Sequence, residues 1–222
     1  EKPMCITRDE FSELQNAIDS TSAPYMVGYN RRFSPALREI RNATRNRVNP
    51  LMATYTVSGG YIPYDSWVQT EQGGGRIIGE ACHIIDLFRF ITDSPIESVS
   101  IDGIAPATEA ARSSDNAVLT LKHKDGSLCT LIYTGRGSKK APKERMDVYC
   151  EGETFILDDY LVLKHFGNGD ILWKAKQQDK GHLNELIGFR NAILEGKRFP
   201  INYEELKETW LITRQAADIL KR

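Results

Sequence analysis

The sequence lacks the long apolar run, the charge excess and the paired cysteines that mark several common protein classes. No uninterrupted apolar segment approaches the ~20 residues that span a bilayer. With 29 basic and 30 acidic residues the formal net charge is -1, which gives no broad attraction to nucleic acid or to anionic lipid. The four cysteines include no C-x-x-C pair and have no histidine at metal-ligand spacing. We therefore expect a cytoplasmic protein without a metal site that binds neither nucleic acid nor membranes.

The spacing of apolar residues changes along the chain from helical to alternating and back to helical. Helices are predicted at residues 7–19, from Ser34-Pro35 to residue 43, around His83 to about residue 91, and at 181–195 and 203–221. Strands are predicted at residues 25–29, 51–58, 97–101, 116–123, 128–134, 145–150, 154–157 and 161–165. Asp125-Gly126 and Glu151-Gly152 predict hairpin turns between antiparallel neighbours. This order predicts an α+β fold, a largely antiparallel open sheet with helices packed on one face.

The second face of that sheet then needs an explanation. We expect it to carry Thr130, Ile132, Thr134, Tyr149 and Phe155. An apolar or aromatic open face is usually covered by a partner, although a face with scattered apolar residues can also remain solvent-exposed.

The stretch from Gly73 to Asp86, GGGRIIGEACHIID, is the most informative part of the sequence. A glycine-rich loop leads directly into a short amphipathic helix that places His83 and Asp86 on one face, because residues three apart are neighbours on a helix. A histidine beside a carboxylate can take or deliver a proton near neutral pH. The pattern therefore indicates a proton-transfer site.

Three motifs in this order, EKP at 1–3, GYNRRFSP at 28–35 and GGG…H..D at 73–86, resemble the Gfo/Idh/MocA family of NAD(P)-dependent sugar and cyclitol oxidoreductases. The resemblance implies that residues 1–33 are the last helix and strand of a truncated Rossmann domain. Residues 34–222 would form the substrate-binding and oligomerisation domain. It also implies a homodimer or homotetramer joined through the open sheet face.

A nicotinamide enzyme of this family needs a G-x-G-x-x-G turn between a strand and a helix, and the chain has none. Because the chain also opens on Glu1 rather than methionine, we expect residues upstream that carry this turn. The cofactor, NAD or NADP, would bind mainly there. By itself the 222-residue chain is expected to be inactive and to bind NAD weakly.

By the resemblance, His83 contacts the reacting hydroxyl as the catalytic base, and Lys2 polarises the same oxygen or positions it beside the nicotinamide. Many family members carry an aspartate four residues before this histidine, where the present chain has Gly79. Glu80 lies three residues before His83 and either orients its ring and contacts substrate or is an exposed glutamate favoured by the helix dipole.

The remaining candidates are Asp86, Arg31 and Asn30. Asp86 would bind a second substrate hydroxyl or fix the histidine tautomer. Arg31 and Asn30 match family positions near substrate and nicotinamide, so Arg31 is assigned to substrate and Asn30, with Lys2, to the cofactor.

These residues predict hydride transfer between nicotinamide and a hydroxyl or keto carbon of a sugar, cyclitol or nucleotide sugar. Segments 73–90 and 179–189 look closest to a subgroup of polysaccharide or nucleotide-sugar metabolism. The alternative is a non-catalytic relative that serves ligand binding or assembly, which the glycine at position 79 favours. A nucleic-acid-binding module is poorly supported, since the charge is balanced and no strand combines aromatic and basic residues.

Overall fold

The computed structural model describes residues 1–21, 23–108, 111–167 and 171–221, and within them the chain forms five α-helices and eight strands. The helices are α1 (Arg8–Asp19), α2 (Pro35–Thr44), α3 (Cys82–Thr92), α4 (His182–Glu195) and α5 (Tyr203–Ile219). The strands are β1 (Met52–Ser58), β2 (Ile96–Gly103), β3 (Asn116–His123), β4 (Leu128–Thr134), β5 (Glu144–Cys150), β6 (Glu153–Asp158), β7 (Val162–Phe166) and β8 (Ile171–Lys174).

The strands form one sheet in the order β2-β3-β4-β1-β5-β6-β7-β8. All neighbours are antiparallel except β1 and β4, which pair in parallel from Met52 with Leu128 to Ser58 with Thr134. The α+β fold with a largely antiparallel open sheet is therefore confirmed. The parallel pair and β8 were not predicted, because neither follows from a local turn.

One face of the sheet forms the main core. Alternate residues of β1, β4 and β5 point into it, including Tyr55, Leu131 and Val148, and all three are buried. Helix α3 packs against α5 and α2, and the apolar side of α3 joins the same core. The predicted arrangement of helices on one sheet face is confirmed. Among the described residues, no helix is both long and apolar enough to cross a membrane.

The opposite face is solvent-exposed in the single chain and rich in threonine. Ile132 and Tyr149 are exposed there, and Thr130 and Thr134 are partly exposed, as expected. Phe155 was wrongly assigned to this face. It is buried in the core and stacks on the His165 ring with centroids 4.4 Å apart, because β6 alternates with Phe155 and Leu157 inward.

The predicted first helix is confirmed, including a capping box in which Thr7 and Glu10 satisfy each other's backbone N–H groups. The predicted strand at 25–29 is wrong. The described residues place no strand beside this segment, whose backbone contact with the start of the chain is a 3.5 Å bond from Gly28 to Glu1. An apolar run without a neighbouring strand cannot form a ladder. The division into residues 1–33 and 34–222 stays a prediction.

Candidate functional site

His83 lies one residue inside α3, just after a π-helical turn at Ile77–Ala81. Such turns occur often at functional sites, because the extra residue redirects side chains. The imidazole is only 6% exposed and packs edge-on against Tyr29, with ring centroids 6.0 Å apart. Its Nδ1 is buried and finds no hydrogen-bond partner among the residues that the structure describes.

The imidazole lies in a positive electrostatic environment. Burial, together with the positive charges of Arg31 and Lys2, holds the pKa of His83 well below its usual 6.5, and Glu144 only partly opposes them. The ring is therefore neutral at physiological pH and can accept a proton. His182, at the start of α4, acts in the same direction as the cations.

Lys2 reaches the same helix from the start of the chain. Its Nζ donates a hydrogen bond to the carbonyl of Gly79, one helical turn before His83. The two residues named from sequence as catalytic are thus brought to one place, 81 positions apart in the chain. The half-buried ammonium would stabilise negative charge developing on a nearby oxygen.

A second charged group adjoins the first. Arg31 donates to Glu144 through Nε at 2.9 Å and through Nη2 at 3.0 Å, and the Lys180 ammonium lies 2.6 Å from the same carboxylate. The Tyr55 hydroxyl adds a 2.5 Å hydrogen bond. Burial alone would raise the pKa of Glu144, but Arg31 and Lys180 outweigh it and lower the pKa to about 2. Glu144 is therefore always ionised near neutral pH.

Asn30 is part of this second group. Its side-chain amide donates to the backbone carbonyl of Lys180 at 2.8 Å, and the residue is almost fully buried. This contact ties the segment before α4 to the short helical turn at Asn30–Phe33. Asn30 thus fixes Lys180, and its place in cofactor binding stays a prediction.

Glu80 turns away from the histidine. Its carboxylate accepts a 3.0 Å bond from Arg76 and a second hydrogen bond from the Tyr133 hydroxyl. The guanidinium of Arg76 lies over the Tyr133 ring, 5.2 Å from its centroid. Glu80 therefore does not orient the His83 ring in this structure, because its two carboxylate oxygens bond to Arg76 and Tyr133.

Asp86 requires a correction. It lies one turn beyond His83, as expected, but its side chain is fully buried and forms an ion pair with Arg32, with bonds of 2.9 and 2.5 Å. Arg32 also donates to Glu205 at 2.8 Å. A carboxylate with no exposed surface cannot meet a substrate hydroxyl, so Asp86 supports the structure. Burial raises its pKa to about 6, although Arg32 opposes this.

The glycine loop packs against the chain itself. Gly74 adopts φ of 72°, in the left-handed region, and a Cβ on Gly73 would lie 2.6 Å from Val68 Cα. The described element directly before the loop is a 3-10 turn at Trp67–Gln69 and not a strand, so the loop differs from a dinucleotide-binding turn. A cleft of about 410 Å³ adjoins it, lined by Gly74, Arg76 and Arg214 among others, and His83 does not line this cleft.

Sequence comparison decides the family. Residues 46–156, half of the 222-residue chain, match the GFO/IDH/MocA C-terminal domain. The chain belongs to the Gfo/Idh/MocA family.

Proteins that are similar to this chain in sequence or in fold are oxidoreductases or dehydrogenases by name. The uncharacterized oxidoreductase YrbE of Bacillus subtilis is 28% identical over 233 residues, which cover 99% of this chain and 67% of YrbE. UDP-N-acetylglucosamine 3-dehydrogenase GnnA from Acidithiobacillus ferrooxidans superposes with a TM-score of 0.77 at 18% identity, covering 100% of this chain and 70% of GnnA. An oxidoreductase from Agrobacterium radiobacter, solved with NAD+, L-tartaric acid and magnesium, gives 0.76 at 14% identity, covering 98% and 69%. The chain thus spans about two thirds of its relatives.

In Gfo/Idh/MocA proteins the cofactor's diphosphate requires a glycine turn between a strand and a helix, and Gly73–Gly75 does not fit that requirement. The space beside Gly73, where a phosphate would have to lie, is occupied by the backbone of Trp67 and Val68. What the chain does offer is one helical turn that carries His83 and whose Gly79 carbonyl accepts a hydrogen bond from Lys2. The glycine loop that the structure describes therefore does not fit the diphosphate of a dinucleotide.

Sequence reasoning missed Glu144, Lys180, Tyr55 and Tyr160. Tyr160 is buried, its hydroxyl lies 3.0 Å from that of Tyr55, and the Lys180 ammonium lies over its ring. One signal was available: alternation along β5 places Glu144 on the same inward face as Met146 and Val148. A glutamate on an apolar strand face must have partners, because an unpaired buried charge is too costly.

Proposed function

We propose that the chain is the substrate-binding and assembly part of a nicotinamide-dependent dehydrogenase or reductase. Its substrate would be a sugar, cyclitol or nucleotide sugar, oxidised or reduced at a hydroxyl or keto carbon. The observation that carries the proposal is the convergence of the Lys2 ammonium on the helical turn of a neutral, nearly buried His83.

The division of labour follows from the charges. Oxidation of a carbinol requires removal of the hydroxyl proton as the hydride leaves. Burial, Arg31 and Lys2 keep the resting imidazole of His83 unprotonated, so that it is free to accept that proton. Lys2 and Arg31 would stabilise the alkoxide-like oxygen that forms, and Glu144 would offset part of the cost of the charged imidazole. NAD or NADP, when bound, would supply the hydride acceptor. Lys2 and Asn30 would lie near that cofactor.

The missing aspartate at position 79 does not leave Lys2 without an anchor. The carbonyl of Gly79 accepts the Lys2 hydrogen bond, so a backbone oxygen holds the ammonium where a carboxylate would stand in many relatives. This supports the catalytic hypothesis over the alternative, a non-catalytic relative retained for ligand binding or assembly. Loss of a carboxylate also leaves the site more positive.

We further propose that the nucleotide-binding domain lies in residues outside this chain and forms the other wall of the site. The open sheet face would join copies in a homodimer or homotetramer, since it exposes Met52, Ile132 and Tyr149. A soluble cytoplasmic enzyme is the corresponding expectation.

Turnover tests the proposal. The polypeptide with its upstream residues is incubated with NAD+ or NADP+ and a panel of sugars, cyclitols and nucleotide sugars, and reduced nicotinamide is followed at its absorption band. We expect substrate-dependent reduction with at least one member of the panel. Tight binding of a sugar without reduction of either cofactor would favour the non-catalytic alternative.

A further inference from the structure

The carboxylate of Glu144 is fully occupied by the chain. It is 1% exposed, and its two oxygens accept bonds from Arg31, Lys180 and Tyr55. Asn30 holds the backbone of Lys180, so the geometry of the two cations is fixed from both sides. Glu144 therefore cannot contact a ligand, but it sets where the cations stand.

The charges of this group do not cancel. Two cations share one carboxylate, which leaves one positive charge, and Lys2 adds another beside His83. A guanidinium carries five N–H donors and an ammonium three, so the bonds to Glu144 leave donors on both. The Arg31 and Lys180 side chains remain 14% and 17% exposed. Partly buried cations with remaining donors suit an anionic group, because the surrounding dielectric is low.

We propose that Arg31 and Lys180 form an anion subsite that binds a carboxylate or phosphate group of the substrate next to His83. Glu144 is a positioning residue that holds the two cations apart at fixed places. The inference rests on the proposed function, because it assigns the charge of the molecule whose hydroxyl meets His83. It narrows the substrate from sugars in general to acidic or phosphorylated sugars.

The anion subsite is tested on the protein with three ligands that share the glucose ring. D-glucose, D-glucuronate and D-glucose 6-phosphate differ only at C6, and their affinities are measured by NMR titration at constant ionic strength. We expect at least one anion to bind about tenfold or more tightly than glucose, as expected for one charge-assisted hydrogen bond. The tighter anion identifies carboxylate or phosphate as the preferred group. Equal affinities for all three ligands, or no binding of either anion, would overturn the subsite.

Two variants distinguish binding by the subsite cations from a general effect of positive charge on the protein. Lys180→Gln should lower the affinity for the anion and so remove its preference over glucose. Lys143→Gln, an equal charge change at an exposed lysine beside Glu144, should keep the preference. A preference that survives Lys180→Gln contradicts the assignment.

Glu144 is tested by opposite expectations. If it only competed with the ligand, Glu144→Ala would strengthen anion binding by removing a negative charge. As a positioning residue it should instead give weaker anion binding, and Glu144→Gln, which keeps an acceptor for Arg31, should restore part of it. Stronger anion binding by Glu144→Ala would refute the positioning role.

These measurements need no hydride transfer. If the proposed function is wrong but the subsite is right, the protein will not reduce the cofactor but will still prefer the anion. Loss of the subsite would appear as cofactor reduction with neutral sugars and no anion preference.

Discussion

Replacing Asp86 by asparagine tests whether this residue supports the fold or meets the substrate. The substitution keeps the size of the side chain and one acceptor oxygen, so little packing is lost. It leaves the Arg32 guanidinium, 4% exposed, with Glu205 as its remaining carboxylate. Breaking a buried ion pair by removing one partner typically costs about 3 to 5 kcal/mol. Removing the carboxylate also relieves the burial that raises its pKa to about 6, and Glu205 remains, so the uncompensated Arg32 charge should lower the free energy of unfolding by about 1 to 3 kcal/mol.

The measurement is urea unfolding at pH 8, followed by tryptophan fluorescence. At this pH Asp86 is ionised, since its pKa is about 6. With a denaturant slope of about 3 kcal/mol per molar urea, the midpoint should move down by about 0.3 to 1 M. Asp102→Asn, at an exposed position of β2, is the matched control and should stay within about 0.5 kcal/mol of the original protein.

A double variant checks the cause. Arg32→Met with Asp86→Leu removes both charges, so it should be less destabilised than Asp86→Asn alone. An Asp86→Asn protein as stable as its Asp102→Asn control would refute the reasoning. It would return Asp86 to the list of substrate contacts.

Three further outcomes are expected. Glu144→Gln should lower stability by about 3 kcal/mol at pH 7. Since the folded pKa lies below the ordinary 4.5, the difference should shrink as pH falls from 4.5 toward 2, and an undiminished gap at acid pH in urea unfolding would be inconsistent. Ile132→Glu on the open sheet face should lower the mass measured by light scattering, whereas Val48→Glu, exposed in a loop, should not; identical masses would exclude this face as the interface. Gly59→Ala should cost about 1 to 3 kcal/mol because its Cβ would overlap the Arg76 guanidinium. Gly79→Ala, whose Cβ would have its nearest contact at 3.5 Å, should melt within a few degrees of the original protein, and equal melting of the two variants would count against the packing at Gly59.

Local signals predicted much of the fold. The Glu151-Gly152 turn, with φ of 50° and 83°, is a two-residue hairpin connection that the sequence indicates by itself. The β1–β4 pairing was not predictable in the same way, because it joins Met52 to Leu128 across α3 and two strands. The strand predicted at residues 25–29 was wrong for a related reason, because a composition typical of strands does not provide a neighbouring strand to pair with.

In the candidate site, too, residues within sequence motifs were predicted and contacts between distant segments were not. Motif resemblance placed Lys2 and His83 together, because each motif carries its residue at a fixed position. The Glu144 group was missed, since Arg31 and Glu144 are 113 residues apart and no periodicity links them. Asp86 was misassigned because helical spacing places it on the His83 face but says nothing of Arg32, which meets it from another segment.

The most direct measurement is the rate of hydride transfer in the polypeptide with its upstream residues, for the original protein and for His83→Ala, using whichever sugar is turned over. Loss of a general base typically slows the chemical step by about 100-fold to 10,000-fold. The account predicts that kcat falls at least 100-fold in His83→Ala, while the affinity for the oxidised nicotinamide cofactor supplied in the assay stays unchanged. A His83→Ala enzyme that transfers hydride at the original rate would contradict the assignment of His83 as the proton acceptor.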